Sequence, residues 1–481
     1  MSQPAVVQTE IDNALGVLPQ GSGTLAVIGT STLGTVNAPA TFARVKDLVA
    51  AFGIGPAVEA AAHYIDRYAK PVLFCKTTAT TAGAMGAITF VGTGTSIPTL
   101  TGGFTPVDDY DFQINIVNGG TIGITGITLQ WSVDGGRTFS PITALGTANT
   151  FLVGDTGIQI SFAAGTLVAL DTFSSRCTAP QWITGDLATG LTALRNSAQP
   201  WELCEVAGLC AAADISQLDA SFSAMAAAGK FRAFIAHVRT QNAAETYAAY
   251  TTAMTVIAAA SSSKFGMVCA GSMETVSPVT GRQYRRPPSF TIAAREASVT
   301  EETDTADVKL GPLPVTIIND TNGNQKYYNE SISPGLDDQR FCTLRTWEGR
   351  TGVYVNRPRA FSPAGSDFKL LAHRRVMNLA RATTRAYMET RLNSPIIVNP
   401  TTGFILEKDA LEIESGASEQ LRSVLAAKPK ASSWVYSLSR VDNILSTSNL
   451  TTQMRIVPLG YVETITEEDG FRNPALAAQT S

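Results

Sequence analysis

At 481 residues, with 44% apolar and 16% charged side chains and a net charge of −4, the chain has length for about three domains of ~100–200 residues each. That apolar content excludes a mostly disordered polymer, and the charge balance excludes a global basic surface that would hold nucleic acid by bulk attraction. No apolar run approaches the roughly 18 residues of a membrane span, so membrane insertion is not expected. The opening Met1-Ser-Gln-Pro-Ala lacks a basic stretch and Glu10 and Asp12 follow, so no signal peptide is expected there. Six scattered cysteines (Cys75, Cys177, Cys204, Cys210, Cys269, Cys342) form no Cys-x-x-Cys pair and read as small buried hydrophobes in a reducing compartment. Three histidines limit metal and acid–base chemistry.

In chain order, residues 1–22 are too polar to form a core and read as an arm, with a short extended patch, Pro4, Ala5, Val6, Val7 and Gln8. Thr24–Gly29 is a buried strand. Phe42, Val45, Leu48, Val49 and Phe52 share one helix face, Pro56 opens a second helix to Tyr68, and Pro71–Cys75 is again a strand. From about 77 to 180 Gly and Thr dominate, and short alternating runs recur at 111–117, 127–133 and 157–162; this reads as an inserted all-β, sandwich-like unit. Over 181–365 strands (201–206, 231–238, 264–269, 313–318, 352–356) alternate with helices (214–228, 242–260, 288–298, 336–345), the pattern of a doubly wound, mostly parallel sheet. Asp367 is the expected N-cap of a helix in a smaller α+β unit spanning 366–465. Its strands are expected at 396–399, 433–437, 453–457 and Tyr461, Val462, Glu463, Thr464, Ile465, with a helix at about 417–427. The remainder, 466–481, is a polar tail.

Charge is blocked along the chain. Residues 77–175 hold one basic residue, Arg137, against six acidic ones, whereas 345–391 hold ten basic residues against three acidic, and 407–419 turn acidic again. Opposite blocks on one chain suit register between copies of a self-associating protein, and equally suit pairing within the chain. In the helix after Asp367, Arg374, Arg381 and Arg385 fall on one stripe expected on the outer face, with Glu412 and Glu414 as candidate acidic partners.

Tests for catalysis give no catalytic, cofactor-binding or metal-ligating residue. No phosphate-binding loop or dinucleotide fingerprint follows the first strand, since Ile28–Gly34 has the wrong glycine spacing, and no Gly-x-Ser-x-Gly elbow occurs. Ser132-Val-Asp134-Gly-Gly136-Arg-Thr138-Phe139 resembles the Asp-box hairpin of sialidase-like propellers. Asp134 can accept backbone N–H bonds across a turn in which Gly135 and Gly136 take positive φ, which makes it a hairpin device and not a catalyst. A propeller needs several copies, and there is one.

The ordered set Arg345–Val355, Ser366–Phe368, Arg374–Ala380, Ala386–Leu392, Gly403–Ala410 and Arg455–Tyr461, with Ile28–Asn37 and Phe52-Gly53 upstream, resembles the sheath proteins of contractile phage tails and related injection machines. The likeness covers the α/β core and the C-terminal unit, not 77–180. It implies a non-enzymatic subunit without cofactors that stacks with itself as hexameric rings around an inner tail tube protein. The subunit would contact baseplate and tail terminator proteins and, after assembly in a host cytoplasm, work in the virion tail, where contraction drives the tube through the host envelope to deliver a genome. It implies that arms such as Pro4–Gln8 and Tyr461–Ile465 add strands to a neighbour's sheet. It also implies that the Arg374/Arg381/Arg385 helix faces the tube or another subunit. Two other readings stand beside it: a hydrolase on the doubly wound core, which a Ser/His/acid cluster in a pocket would favour, and another homopolymeric shell or surface-layer protein.

Overall fold

The computed structural model describes residues 24–242, 245–316, 327–426 and 428–467, so the expected arm Pro4–Gln8 lies outside the described residues. The first strand is β1 (Leu25–Gly29), followed by β2 (Ala40–Phe42), α1 (Val45–Phe52), α2 (Pro56–Tyr68) and β3 (Val72–Lys76). After an inserted segment come α3 (Thr184–Asn196), β4 (Leu203–Leu209), α4 (Ala212–Ala227), β5 (Ala233–His237), α5 (Tyr247–Ala260), β6 (Gly266–Cys269) and α6 (Ser289–Ser298).

These strands form one sheet in the order β6-β5-β4-β1-β3-β2. All neighbours are parallel except the edge strand β2, which runs antiparallel to β3. The short, mostly apolar strands follow from burial on both faces. Alternate residues of β1 enter separate cores: Ala26 and Ile28 pack with α3, α4 and α5, whereas Leu25 and Val27 pack with α1, α2 and α6. Each such fully buried aliphatic side chain contributes about 1.5–3 kcal/mol.

Between β3 and α3 the chain makes antiparallel strands around a core of its own, which includes Phe112, Ile114, Ile116, Phe162 and Phe173. Tyr110–Asn118 is its central strand, paired with Thr128–Ser132 on one side and Thr172–Thr178 on the other, and it alternates inward and outward side chains. A three-stranded sheet, with Gln159–Phe162 between Thr150–Leu152 and Pro98–Leu100, supplies Ile160 and Phe162 to the same core. The chain enters and leaves this region through adjacent, hydrogen-bonded positions: Thr77 N–H donates to Gly29 O (2.8 Å), and Thr81 and Gln181 exchange two backbone bonds of 2.9 Å.

The C-terminal unit consists of α7 (Leu371–Glu389), α8 (Glu407–Leu425) and a hairpin of β7 (Ala431–Leu438) and β8 (Thr452–Pro458) around a fourth core. Glu407 and Asp409 sit in the first turn of α8, where the helix dipole favours negative charge. Gly416 lies mid-helix because the Tyr387 ring of α7 occupies the place a Cβ would take.

Four expectations change. Residues 336–343 form no helix; turns there lead into a two-residue strand at Leu344–Arg345. Asp367 does not cap α7, whose N-cap position is Leu370. Ile396–Asn399 makes a single bridge, at Val398 to Ile405. Tyr461–Ile465 forms no strand among the described residues.

Candidate functional site

The catalytic alternative is tested first by the sheet. The order of strands reverses between β1 and β4, and in open α/β sheets ligands sit outside the carboxyl ends of the strands at that reversal. Here the chain itself fills the place. Thr30 Oγ1 donates to Pro180 O (2.9 Å), Leu209 N–H donates to Gln181 Oε1 (3.1 Å), and the Trp182 ring lies where a Cβ on Gly208 would be. The segment leaving the insertion therefore plugs the crevice.

A Ser/His/acid group does occur in the core. His237 Nδ1 and Ser289 Oγ are 2.9 Å apart, and Glu205 is fully buried in the neighbouring strand β4. None of the three is more than 2% exposed, so no substrate reaches them. Burial pushes Glu205 well above the usual carboxylate range, only partly opposed by the Ser289 hydroxyl, and it pulls His237 down to about 3. Burial likewise pulls His63 down to about 4 and lowers His373. Neutral, enclosed groups in this order are packing elements, not a nucleophile and base. Among the described residues no group of three or more His, Cys, Asp or Glu is placed to hold a metal ion, and no helix is long and apolar enough to cross a membrane.

The Ser132–Phe139 turn has the geometry its sequence calls for. Asp134 Oδ1 accepts the N–H groups of Arg137 and Thr138 (both 3.0 Å) and the Ser132 hydroxyl (2.6 Å), and Gly135 and Gly136 take φ of 75° and 86°. Burial works to raise the Asp134 pKa, but these bonds outweigh it and hold the carboxyl below its usual value. Arg137 then reaches across to Glu274 of the α/β core. Asp134→Ala removes the acceptor of two backbone N–H groups and of the buried Ser132 hydroxyl, and a loss of about 2 kcal/mol is expected, read as a lower urea midpoint; an unchanged midpoint would discard this account.

The arginine stripe is not on an outer face. Arg374 is 2% exposed, with its guanidinium 4.4 Å from the Phe265 ring and 5.1 Å from Phe368. Arg381 lies 4.3 Å over Phe231. Arg385 alone is exposed, and it pairs with Glu389 at 2.7 Å. The stripe turns inward because the aromatic side chains at the amino ends of β5 and β6 offer π-faces to guanidinium groups, and the helix packs that side on them. The candidate acidic partners meet other arginines: Glu412 pairs with Arg391 (3.4 Å), and Glu414 pairs with Arg440 (2.7 Å), which also holds Glu407. Sequence reasoning passed over Arg440 and over Arg375, the buried neighbour of Arg374; an arginine inside an apolar helix period was the only signal for the latter.

The β7–β8 hairpin is a two-stranded sheet, and neither strand has a second partner among the described residues. Val435 is 62% exposed and Val457 55%. Beyond it, Tyr461 donates to Glu302 O (2.6 Å) and stacks near His373, Glu463 pairs with Arg357 (3.1 Å), and Val462 and Ile465 stay about 80% exposed.

This arrangement has known counterparts. The chain matches solved structures over nearly its whole length. One is a chain of the sheath complex of the extracellular contractile injection system PVC in its contracted state (10% identity, 99% of each chain, TM-score 0.55). Another comes from the six-fold symmetrised baseplate of the anti-feeding prophage (10% identity, 98% of this chain and 100% of that chain, TM-score 0.51). A third is from the contracted helical sheath of the same particle (11% identity, 98% and 99%, TM-score 0.50). Among curated proteins none matches the sequence. Residues 3–359 match the protein family described as DUF2586, N-terminal domain. With the plugged crevice, the open hairpin and this match together, the chain belongs to the DUF2586 family and carries the fold of contractile sheath proteins.

Proposed function

We propose that the chain is the structural subunit of a contractile sheath. It polymerises with itself as stacked hexameric rings around an inner tube, and its contraction drives that tube through a target envelope. The observation that carries this reading is the β7–β8 hairpin, whose two edges have no partner among the described residues, together with a terminal segment, 461–465, that has no strand partner among them either. Unpaired N–H and C=O groups on a strand edge are a template for another chain. Strand addition by Tyr461–Ile465 and Pro4–Gln8 of neighbouring copies would cap those edges and cover Val435 and Val457. Such links survive while rigid bodies rotate, which lets a metastable extended packing convert to a contracted one without nucleotide chemistry.

In this reading the division of labour follows the sequence: 23–76 with 181–365 form the core, 77–180 an outward decoration, and 366–465 the inner polymerising layer. Arg385, the exposed member of the stripe, is the residue left for an intersubunit or tube contact. The baseplate, an inner tail tube protein and a tail terminator are the heterologous partners, and an assembled tail is the place of work.

Negative-stain microscopy of the purified chain at high concentration tests the reading. Hollow tubes of uniform diameter with six-fold end views are expected from the full chain, and short or absent tubes from a chain lacking residues 1–22. Discrete particles in both samples would overturn it.

A further inference from the structure

Between the amino ends of β5 and β6 and the C-terminal unit lies a cleft of about 790 Å³. Its charged lining is all of one sign: Lys264, Arg374, Arg381 and Arg385. Among the described residues, only Arg385 of these has a carboxylate bonded to it, Glu389 at 2.7 Å. Arg374 is 2% exposed, and its Nε and Nη2 have no hydrogen-bond partner among the described residues. Asp219 acts on Arg374 from a distance but is itself bonded to Ser263 Oγ at 2.7 Å. A buried guanidinium with two open donors is costly unless something anionic arrives to meet them. The remaining wall is soft and apolar, with Met377, Met388 and Met454 around the charges.

The required occupant is thus anionic, extended and partly apolar. The C-terminal part of the sequence carries such a stretch: Glu467-Glu468-Asp469-Gly470-Phe471. It begins six residues after Tyr461, whose ring is 5.6 Å from that of His373, the residue preceding Arg374 on α7. The described chain thus passes beside α7 at Tyr461, is next held at Glu463 by Arg357 (3.1 Å), and reaches Glu467 exposed. We propose that the acidic C-terminal segment Glu467–Phe471 docks in this basic cleft. Its carboxylates face Arg374, Arg381 and Lys264, and Phe471 inserts among the methionines. This inference does not rest on the sheath reading and concerns the unpolymerised chain.

The test uses the full chain with Phe471→benzoylphenylalanine, irradiated and mapped by mass spectrometry. Cross-links to Met377, Met388 or Met454 are expected. They should fall about tenfold in yield when the tail also carries E467Q, E468Q and D469N, and again in the body variant Arg381→Gln, as loss of charge complementarity requires. A urea midpoint equal to that of the unsubstituted chain excludes a folding defect as the cause of a lower yield. Cross-links that map elsewhere, or a yield indifferent to the three tail substitutions, would overturn the assignment.

Discussion

Arg375→Met is expected to cost about 3–5 kcal/mol of folding stability, the range seen when one partner of a buried charge group is removed. Arg375 is buried on α7 and bonds Glu202 at the start of β4 (2.7 Å), Glu296 of α6 (3.4 Å) and the carbonyls of Glu296 and Val299 (2.9 and 3.1 Å). It ties the C-terminal unit to the α/β core, and its loss removes the positive partner of two buried carboxylates. The loss should also depend on pH. Burial pushes Glu296 up to about 7 against the pull of Arg375. A carboxyl raised in the folded state contributes stability that is present below its ordinary value near 4 and lost as pH rises through about 7. Without Arg375 that fading is stronger, so the deficit should be larger at pH 8 than at pH 5. Urea unfolding at the two pH values checks both parts. A deficit under about 1 kcal/mol at pH 8 would mean the group is hydrated or neutral and does not hold the units together.

Arg286→Met should have an effect of similar size but a different address. The Arg286 guanidinium, fully buried, meets Glu59 of α2 (2.6 Å), Asp108 of the inserted region (2.8 Å) and the Asp109 carbonyl (2.7 Å). Burial drives Asp108 up to about 7 in spite of this partner, so without it the carboxyl would be forced to take a proton. A loss of about 3–5 kcal/mol is expected. Because Asp108 and Asp109 anchor the inserted strands, protease cuts within 84–178 should appear earlier in the variant than cuts in the α/β core. Simultaneous loss of both regions, or cutting at the wild-type rate, would contradict this assignment.

The sequence revealed what short-range pattern controls. Leu25–Gly29, Ala233–His237 and Gly266–Cys269 are unbroken apolar runs, and all three are strands of the central sheet. The helices at Ala212–Ala227 and Ser289–Ser298 lie within two residues of where periodicity puts them. The Asp134 turn was legible down to its donors, since every partner lies within four residues. What was not legible is decided by distant residues. The stripe of Arg374 and Arg381 has the spacing of a solvent face, and only the rings of Phe265 and Phe231 turn it inward. The helix expected at about 417–427 in fact begins at Glu407, and nothing local announces that Gly416 sits inside it to make room for the Tyr387 ring. Glu412 and Glu414 are indeed salt-bridged acids, but the choice of Arg391 and Arg440 over the α7 stripe is a matter of tertiary geometry. For Tyr461–Ile465 the alternating pattern suggested a strand, but the described chain there forms none, because a strand needs a paired neighbour that local pattern does not supply.

The hydrogen-bonded gateway at Thr77, Thr81 and Gln181 makes the inserted region exchangeable in principle. A segment whose two ends leave the core side by side can be lengthened, shortened or replaced with little loop-closure cost, since that cost grows only with the logarithm of length. Two features limit the exchange. Pro180, Gln181 and Trp182 must stay, because they stopper the sheet. A graft must also bring a carboxylate to the position of Asp108, or Arg286 keeps Glu59 as its sole acidic neighbour. The core thus behaves as a socket with several keyed pins, since Arg285 also meets Asp111 of the inserted region (3.1 Å) and Glu274 meets Arg137.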